Sequence, residues 1–142
     1  MTDTPKHSVS VAGIVVDGDG RVLVIQRRDN GYWEPPGGVL ELNESFEAGV
    51  AREVLEETGV QVEVERLTGA YKNMTRGIVA LVFRCHLVGR TTDAVVTEEA
   101  LATRWISVSD VDTLLTESYA IRVHDALGAL PRHRTHDGRN LT

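Results

Sequence analysis

Residues 38–60 read GVLELNESFEAGVAREVLEETGV, and the pattern of this stretch decides the fold. It predicts a helix from about Ser45 to Thr58. Ser45 is a suitable N-cap, Glu47 falls in the first turn where the helix dipole favours an acid, and Gly59 suits a left-handed stop. Gly49 in the interior costs ~1 kcal/mol relative to alanine, too little to overturn the assignment. At ~100° per residue, Glu53, Glu56 and Glu57 fall within an arc of roughly 100°. Ala48, Val50, Ala51, Val54 and Leu55 occupy much of the remaining circumference. The expectation is a helix that packs its apolar side on a sheet while three carboxylates project together.

The flanks supply the sheet. Residues 8–17 (SVSVAGIVVD) and 21–27 (RVLVIQR) are two β-branched runs around a DGDG turn, the pattern of an antiparallel hairpin. Residues 29–38 (DNGYWEPPGG) read as loop, since Pro35-Pro36 excludes a helix. Residues 60–72 alternate like a half-buried strand, and 77–88 (GIVALVFRCHLV) read as a central one. Residues 89–98 read as polar loop, 103–108 (TRWISV) as a short strand, DVDTLL as a brief helix and 118–130 as a final amphipathic helix. From Pro131 the apolar periodicity stops. The expectation is one α/β (α+β) domain over residues 1–130, with a mixed β-sheet and helices on its faces, and a loose polar tail over 131–142.

Composition narrows the function. Hydrophobic residues are 42% and charged residues 25% of 142, which is enough for a packed core. The net charge of -6 argues against polymeric nucleic acid as partner. The chain has no apolar run of bilayer length and no secretory leader, so the expected location is cytoplasmic, away from membranes. The single cysteine, Cys85, excludes an internal disulfide and lies mid-strand, where it reads as core. The five histidines show no ligand spacing.

The helical acids are the unusual feature. Glu53–Glu56 and Glu53–Glu57 are like-charged i,i+3 and i,i+4 pairs, each unfavourable by a few tenths of a kcal/mol, roughly. They also sit late in the helix, where the dipole disfavours negative charge. A divalent cation would relieve the repulsion, and hard oxygen donors suit Mg²⁺ or Mn²⁺. The competing reading of these acids is an ordinary solvated face, with Arg52 as an ion-pair partner.

The wider stretch resembles the signature of the Nudix hydrolases: Gly, five residues, Glu, seven residues, Arg-Glu, an aliphatic residue, any residue, Glu-Glu, any residue, Gly, aliphatic. Gly38, Glu44, Arg52, Glu53, Val54, Glu56, Glu57, Gly59 and Val60 fill every specified place. The resemblance implies a Nudix-type α/β/α sandwich and metal-dependent hydrolysis of a diphosphate linkage in a nucleoside diphosphate joined to another group. It implies Mg²⁺, with Mn²⁺ as a substitute, held by Glu53, Glu56 and Glu57 with the carbonyl of Gly37. Arg52 looks like the residue that orients a catalytic glutamate, and Glu44 like a support for the loop. The family often recruits a further acid ahead of a strand bearing Trp. Here Glu98 and Glu99 precede Trp105, and spacing favours Glu99 as a metal ligand. The general base stays open among Glu53, Glu56, Glu57 and Glu99, with Glu53 and Glu56 preferred. Homodimers are common in the family, and a homodimer is one expected assembly.

Substrate contacts fall outside the signature. Arg27 and Arg28 could meet phosphates, Tyr32 and Trp33 could stack a base, and Gly38 and the Tyr71-Lys72-Asn73 stretch could line the pocket. The expected substrate is a nucleoside triphosphate, deoxy or not, or a related nucleotide. Alternatives are a nucleotide sugar or ADP-ribose, or a catalytically silent nucleotide-binding or regulatory domain of the same fold. An isoprenoid-diphosphate isomerase is the weakest, since Cys85 sits poorly for it.

Overall fold

Strand β1 (Ser8–Val16) is the axis of the molecule. It pairs in parallel with β6 (Ile78–Leu87), from Ser8↔Ile78 to Val16↔His86, and antiparallel with β2 (Val22–Arg27). The β1–β2 turn closes because Asp17 Oδ1 accepts the backbone N–H groups of Asp19 and Arg21, at 3.0 and 2.8 Å. Gly20 takes the positive φ, +78°, that the turn requires. The computed structural model describes residues 3–89 and 100–142. Further strands are β3 (Trp33–Glu34), β4 (Gly37–Val39), β5 (Val62–Asn73), β7 (Ala100–Ile106) and β8 (Arg132–His136). The mixed sheet runs β3-β2-β1-β6-β5-β8, with β4 also on β1 and β7 also on β2.

Side-chain alternation along the central strands builds two cores. On one face Val11, Val15, Leu23, Phe83 and Cys85 pack against Val50 and Val54 of helix α1 (Phe46–Thr58). On the other, Ala12, Ile14, Val22, Val24 and Val82 pack against α2 (Val111–Leu114) and α3 (Glu117–Leu127), through Val111, Ala120, Val123 and Ala126. Each fully buried Val or Leu contributes ~1.5–3 kcal/mol. A sheet covered on both sides explains why residues 11–15 are apolar without a polar alternate.

Helix α1 has the expected ends. Ser45 Oγ accepts the Ala48 N–H at 3.1 Å, and Gly59 sits at φ +72° with its N–H on Leu55 O. The helical Gly49 has a packing reason, since a Cβ there would lie 2.8 Å from Leu40 Cδ1 and 3.0 Å from Glu44 Oε1.

Three expectations need correction. Residues 29–38 are not all loop: Trp33–Glu34 pairs with β2, and Gly37–Val39 pairs with β1. The stretch from Pro131 is not loose, because β8 adds to β5 in parallel from Gly69↔Arg132 to Asn73↔His136. β8 is an edge strand, which needs hydrogen-bond partners but few apolar side chains, so periodicity could not mark it. Nor are the three acids of α1 the ordinary solvated face that was their competing reading. Glu53 and Glu57 are buried beside Val50 and Val54, while Glu56 and Leu55 face outward. The backbone of Gly37-Gly38, with no side chain to intervene, makes room for the two buried carboxylates. The polar stretch 90–99 lies outside the described residues.

Candidate active site

The site is assembled where α1 meets β4. Glu57 Oε1 accepts the Gly37 N–H at 2.8 Å. The Glu53 carboxylate lies so close to Gly38 that a Cβ there would sit 2.6 Å from its Cδ and Oε1. Gly37 is equally confined, against Val11 O and the Ala12 Cα and Cβ. Glycine at these two positions thus lets the strand carry its backbone up to the carboxylates.

Arg52 ties the acids together. Its Nε and Nη2 donate to the two carboxylate oxygens of Glu44 at 2.9 and 2.7 Å, a two-point contact. Its Nη1 reaches Glu53 Oε1 at 3.0 Å and Glu56 Oε2 at 3.2 Å. The Arg52 hydrogen bonds and the Glu41 N–H hold the Glu44 carboxyl well below its usual range, down to about 2. Glu44 therefore anchors Arg52, and Arg52 meets two of the three signature acids of the helix. Among the described residues, no three Asp, Glu, His or Cys side chains already stand in a metal-holding group. The donor chemistry nonetheless suits a hard cation: Glu53, Glu56 and Glu57 present carboxylates within one turn of helix, two of them buried. Glu99, the further acid expected from the sequence, lies outside the described residues.

A cleft of about 740 Å³ has Gly37 and Gly38 in its wall. Its walls include Arg27, Tyr32, Glu34, Tyr71, Asn73, Tyr119, Arg122, His136 and Arg139. A second depression of about 460 Å³ lies along β5 and β8, lined by residues such as Lys72, Val79 and Thr135, away from the carboxylates.

The sequence-predicted substrate contacts divide. Arg27 and Tyr32 reach the cleft, with Arg27 paired to Asp29 at 2.7 Å and Glu34 at 3.0 Å. Tyr32 stacks under the Arg139 guanidinium, 5.2 Å from the ring centre, and its hydroxyl accepts from Arg139 Nη2. Arg28 is exposed and is not among the cleft residues. Trp33 packs against the core beneath Arg104, 5.3 Å away, so it serves the fold. Tyr71 is completely buried, and its hydroxyl donates to Asp125 Oδ2 at 2.7 Å. It forms the cleft floor as a structural ring, and Gly69 leaves space for it: a Cβ there would press on the Tyr71 ring.

Sequence reasoning missed Glu34, Tyr119, Arg122, His136 and Arg139. The signal for Arg122 was present but weak. Ser118, Arg122 and Asp125 follow i, i+4, i+7 spacing on α3, and all three are buried. Read from sequence alone, that stripe looks like a solvated face. His136 and Arg139 fall within 131–142, where the missing apolar periodicity gives no sign of a strand.

The comparisons agree with this architecture. The NUDIX domain family profile matches residues 6–126. A MutT-like protein of Streptomyces ambofaciens is 58% identical over 141 residues, covering 99% of this chain and 90% of that protein. An ADP-ribose pyrophosphatase of Methanocaldococcus jannaschii is 35% identical over 89 residues, 58% of this chain and 52% of that protein. Among solved structures, a NUDIX hydrolase from Nitrosomonas europaea superposes with a TM-score of 0.76 at 22% identity, covering 94% of this chain and 82% of that one. A MutT NUDIX hydrolase from Burkholderia pseudomallei gives a TM-score of 0.70 at 28% identity, covering 85% and 98%. With an intact signature and a profile match across most of its length, the chain belongs to the NUDIX hydrolase family.

Proposed function

We propose that the protein is a divalent-cation-dependent hydrolase of a diphosphate linkage, acting on a nucleoside triphosphate or a related nucleotide. One observation carries this reading: buried Glu53 and Glu57 meet the Gly37-Gly38 backbone, which also borders the cleft. Acids and cleft share one strand.

Glu53, Glu56 and Glu57, with the Gly37 carbonyl and Glu99, would hold Mg²⁺ or Mn²⁺. The cation, when bound, neutralises phosphoryl oxygens and acidifies water, which an anionic substrate at an acidic site requires. Glu44 holds the guanidinium of Arg52, and Arg52 in turn fixes Glu53 and Glu56 at 3.0 and 3.2 Å. A carboxylate of the helix, Glu53 or Glu56, then takes the proton of the attacking water. The cleft receives the remainder of the nucleotide, with Arg27 and Tyr32 at its rim. The substrate named for the M. jannaschii relative, ADP-ribose, makes that compound the second candidate.

The test is a hydrolysis panel of nucleoside triphosphates, nucleotide sugars, dinucleoside polyphosphates and ADP-ribose, with product identification in Mg²⁺, Mn²⁺ and EDTA. Calorimetric Mn²⁺ titration of the wild type and Glu56→Gln supplies a readout independent of turnover. Cleavage only with the metals, and weaker Mn²⁺ binding by the variant, is the expected result. Turnover in EDTA, or Mn²⁺ binding unchanged in Glu56→Gln, would remove the metal assignment. Nucleotide binding without turnover across the panel would favour a silent binding domain.

A further inference from the structure

Arg122 carries a buried charge with no direct ion-pair partner among the described residues. The residue is 7% exposed, and it lines the cleft. Its guanidinium lies between the rings of Tyr71 and Tyr119, 5.0 and 4.9 Å from their centres. Nε donates to Ser118 O at 3.2 Å. Among the described residues no carboxylate comes within ion-pair distance. Glu34 is near enough to influence the charge, but its Oε1 pairs with Arg27 at 3.0 Å.

The neighbouring His136 sharpens the imbalance. It too is buried and lines the cleft. Its Nδ1 accepts the Gly138 N–H at 3.0 Å, so the neutral ring carries its proton on Nε2. That nitrogen faces Arg122 Nη2 at 3.4 Å. Two donors therefore approach each other with no acceptor between them. Burial and the Arg122 charge both push the His136 pKa down, which keeps the ring neutral. Burying an arginine without an anion is unfavourable, and a fold with no use for it would gain from an apolar residue there.

We propose that Arg122 and His136 form an oxyanion-binding end of the cleft, which receives a phosphate or carboxylate group of the substrate remote from the scissile linkage. The stacked tyrosines hold the guanidinium plane, and the ligand oxygen supplies the acceptor that both donors lack. This rests on the cleft being the substrate cleft. It narrows that reading to a related nucleotide whose moiety beyond the scissile diphosphate carries a phosphate or carboxylate, since a plain nucleoside triphosphate or ADP-ribose has no anion at that end. The residues are binding residues, since the reacting atoms lie at the carboxylate end.

The probes are inorganic phosphate, acetate and the uncharged nucleoside guanosine, each titrated in EDTA and followed by the ring signals of His136 in heteronuclear NMR. Wild type is expected to shift His136 with phosphate or acetate, whichever matches the substrate's anion, and not with guanosine. Arg122→Met, of similar volume and no charge, is expected to weaken that response at least tenfold while its Tm holds or rises. Arg122→Lys keeps the charge without the planar fork and should fall between the two. A response to guanosine alone, no response to any probe, or an undiminished response in Arg122→Met would overturn the proposal. So would a lower Tm in Arg122→Met with unchanged anion binding, which would make the residue structural. If Arg122→Met does not fold, the wild-type titration and Arg122→Lys decide. An Arg122-dependent response without turnover on the hydrolysis panel would sink only the hydrolase reading, and turnover without that response would sink only this one.

Discussion

Arg52 and Glu44 are joined at two points, Nε to Oε2 at 2.9 Å and Nη2 to Oε1 at 2.7 Å, across the loop that precedes α1. This contact leaves Arg52 Nη1 facing Glu53 and Glu56. Glu44→Gln keeps the shape but loses the charge and one acceptor, so the guanidinium is no longer clamped. Supports of this kind typically carry 10–100-fold in metal affinity or activity, roughly. Mn²⁺ titration and turnover of Glu44→Gln should both fall by about that factor, with a Tm near the wild type. An unchanged Mn²⁺ affinity would show that Glu44 supports only the loop.

Gly37 and Gly38 are adjacent, yet alanine should act differently at each. A Cβ at Gly38 meets the end of the Glu53 side chain, which can rotate away. A Cβ at Gly37 meets Val11 O and the Ala12 Cα, which belong to the central strand and cannot move independently. Gly38→Ala should therefore keep most of its stability and lose Mn²⁺ binding, as Glu53 is displaced. Gly37→Ala should lose ~1–3 kcal/mol of stability as an overpacked site. Denaturant unfolding alongside Mn²⁺ calorimetry separates the two, and equal effects in both assays would refute the distinction.

The sequence made α1 and its caps legible because Ser45, Gly59 and the apolar spacing of Val50 and Val54 are local signals. It also exposed the repulsion among Glu53, Glu56 and Glu57, since that depends only on helical geometry. It did not reveal that Glu53 and Glu57 are buried, because their company is a strand approaching from Gly37-Gly38. The far end of the cleft was less legible still. Arg122 and His136 come from α3 and β8, and only the parallel pairing of β8 with β5 brings them together. A parallel edge strand rich in Arg and His has no hydrophobic period to announce it.

Cys85 lies on β6 within the α1-side core, with no exposed surface. Burial pushes its thiol up to about 12, so very little thiolate exists near neutrality. A chromogenic disulfide reagent at pH 8 should leave the native protein untouched and titrate a single thiol after denaturation. Rapid native labelling would mean that α1 opens readily from the sheet.

Asp125 on α3 joins the helix to two strands. It accepts from Tyr71 Oη on β5 at 2.7 Å and from Arg134 Nε and Nη2 on β8 at 2.8 and 2.9 Å. Burial opposes its ionisation, but the Arg134 and Tyr71 hydrogen bonds more than offset this, and the carboxyl ends below its ordinary value. The native state therefore binds fewer protons here than the unfolded chain does, so this contribution is complete above the unfolded value of ~3.9 and is lost as pH falls through the lower native one. Tm should begin to fall below about pH 7, where the unfolded His136 takes up a proton that the native ring, its pKa lowered, does not, and should fall more steeply below about pH 5, with Glu44 and Asp137, whose pKa values are also lowered, adding to the slope. Asp125→Asn should be less stable at pH 7 and show a shallower acid decline. Tyr71→Phe, which removes one hydrogen bond to a charged acceptor, should cost ~1.5–3 kcal/mol at pH 7. Wild-type stability in Asp125→Asn at pH 7, or an acid decline as steep as the wild type's, would mean that β8 is held by its backbone ladder alone.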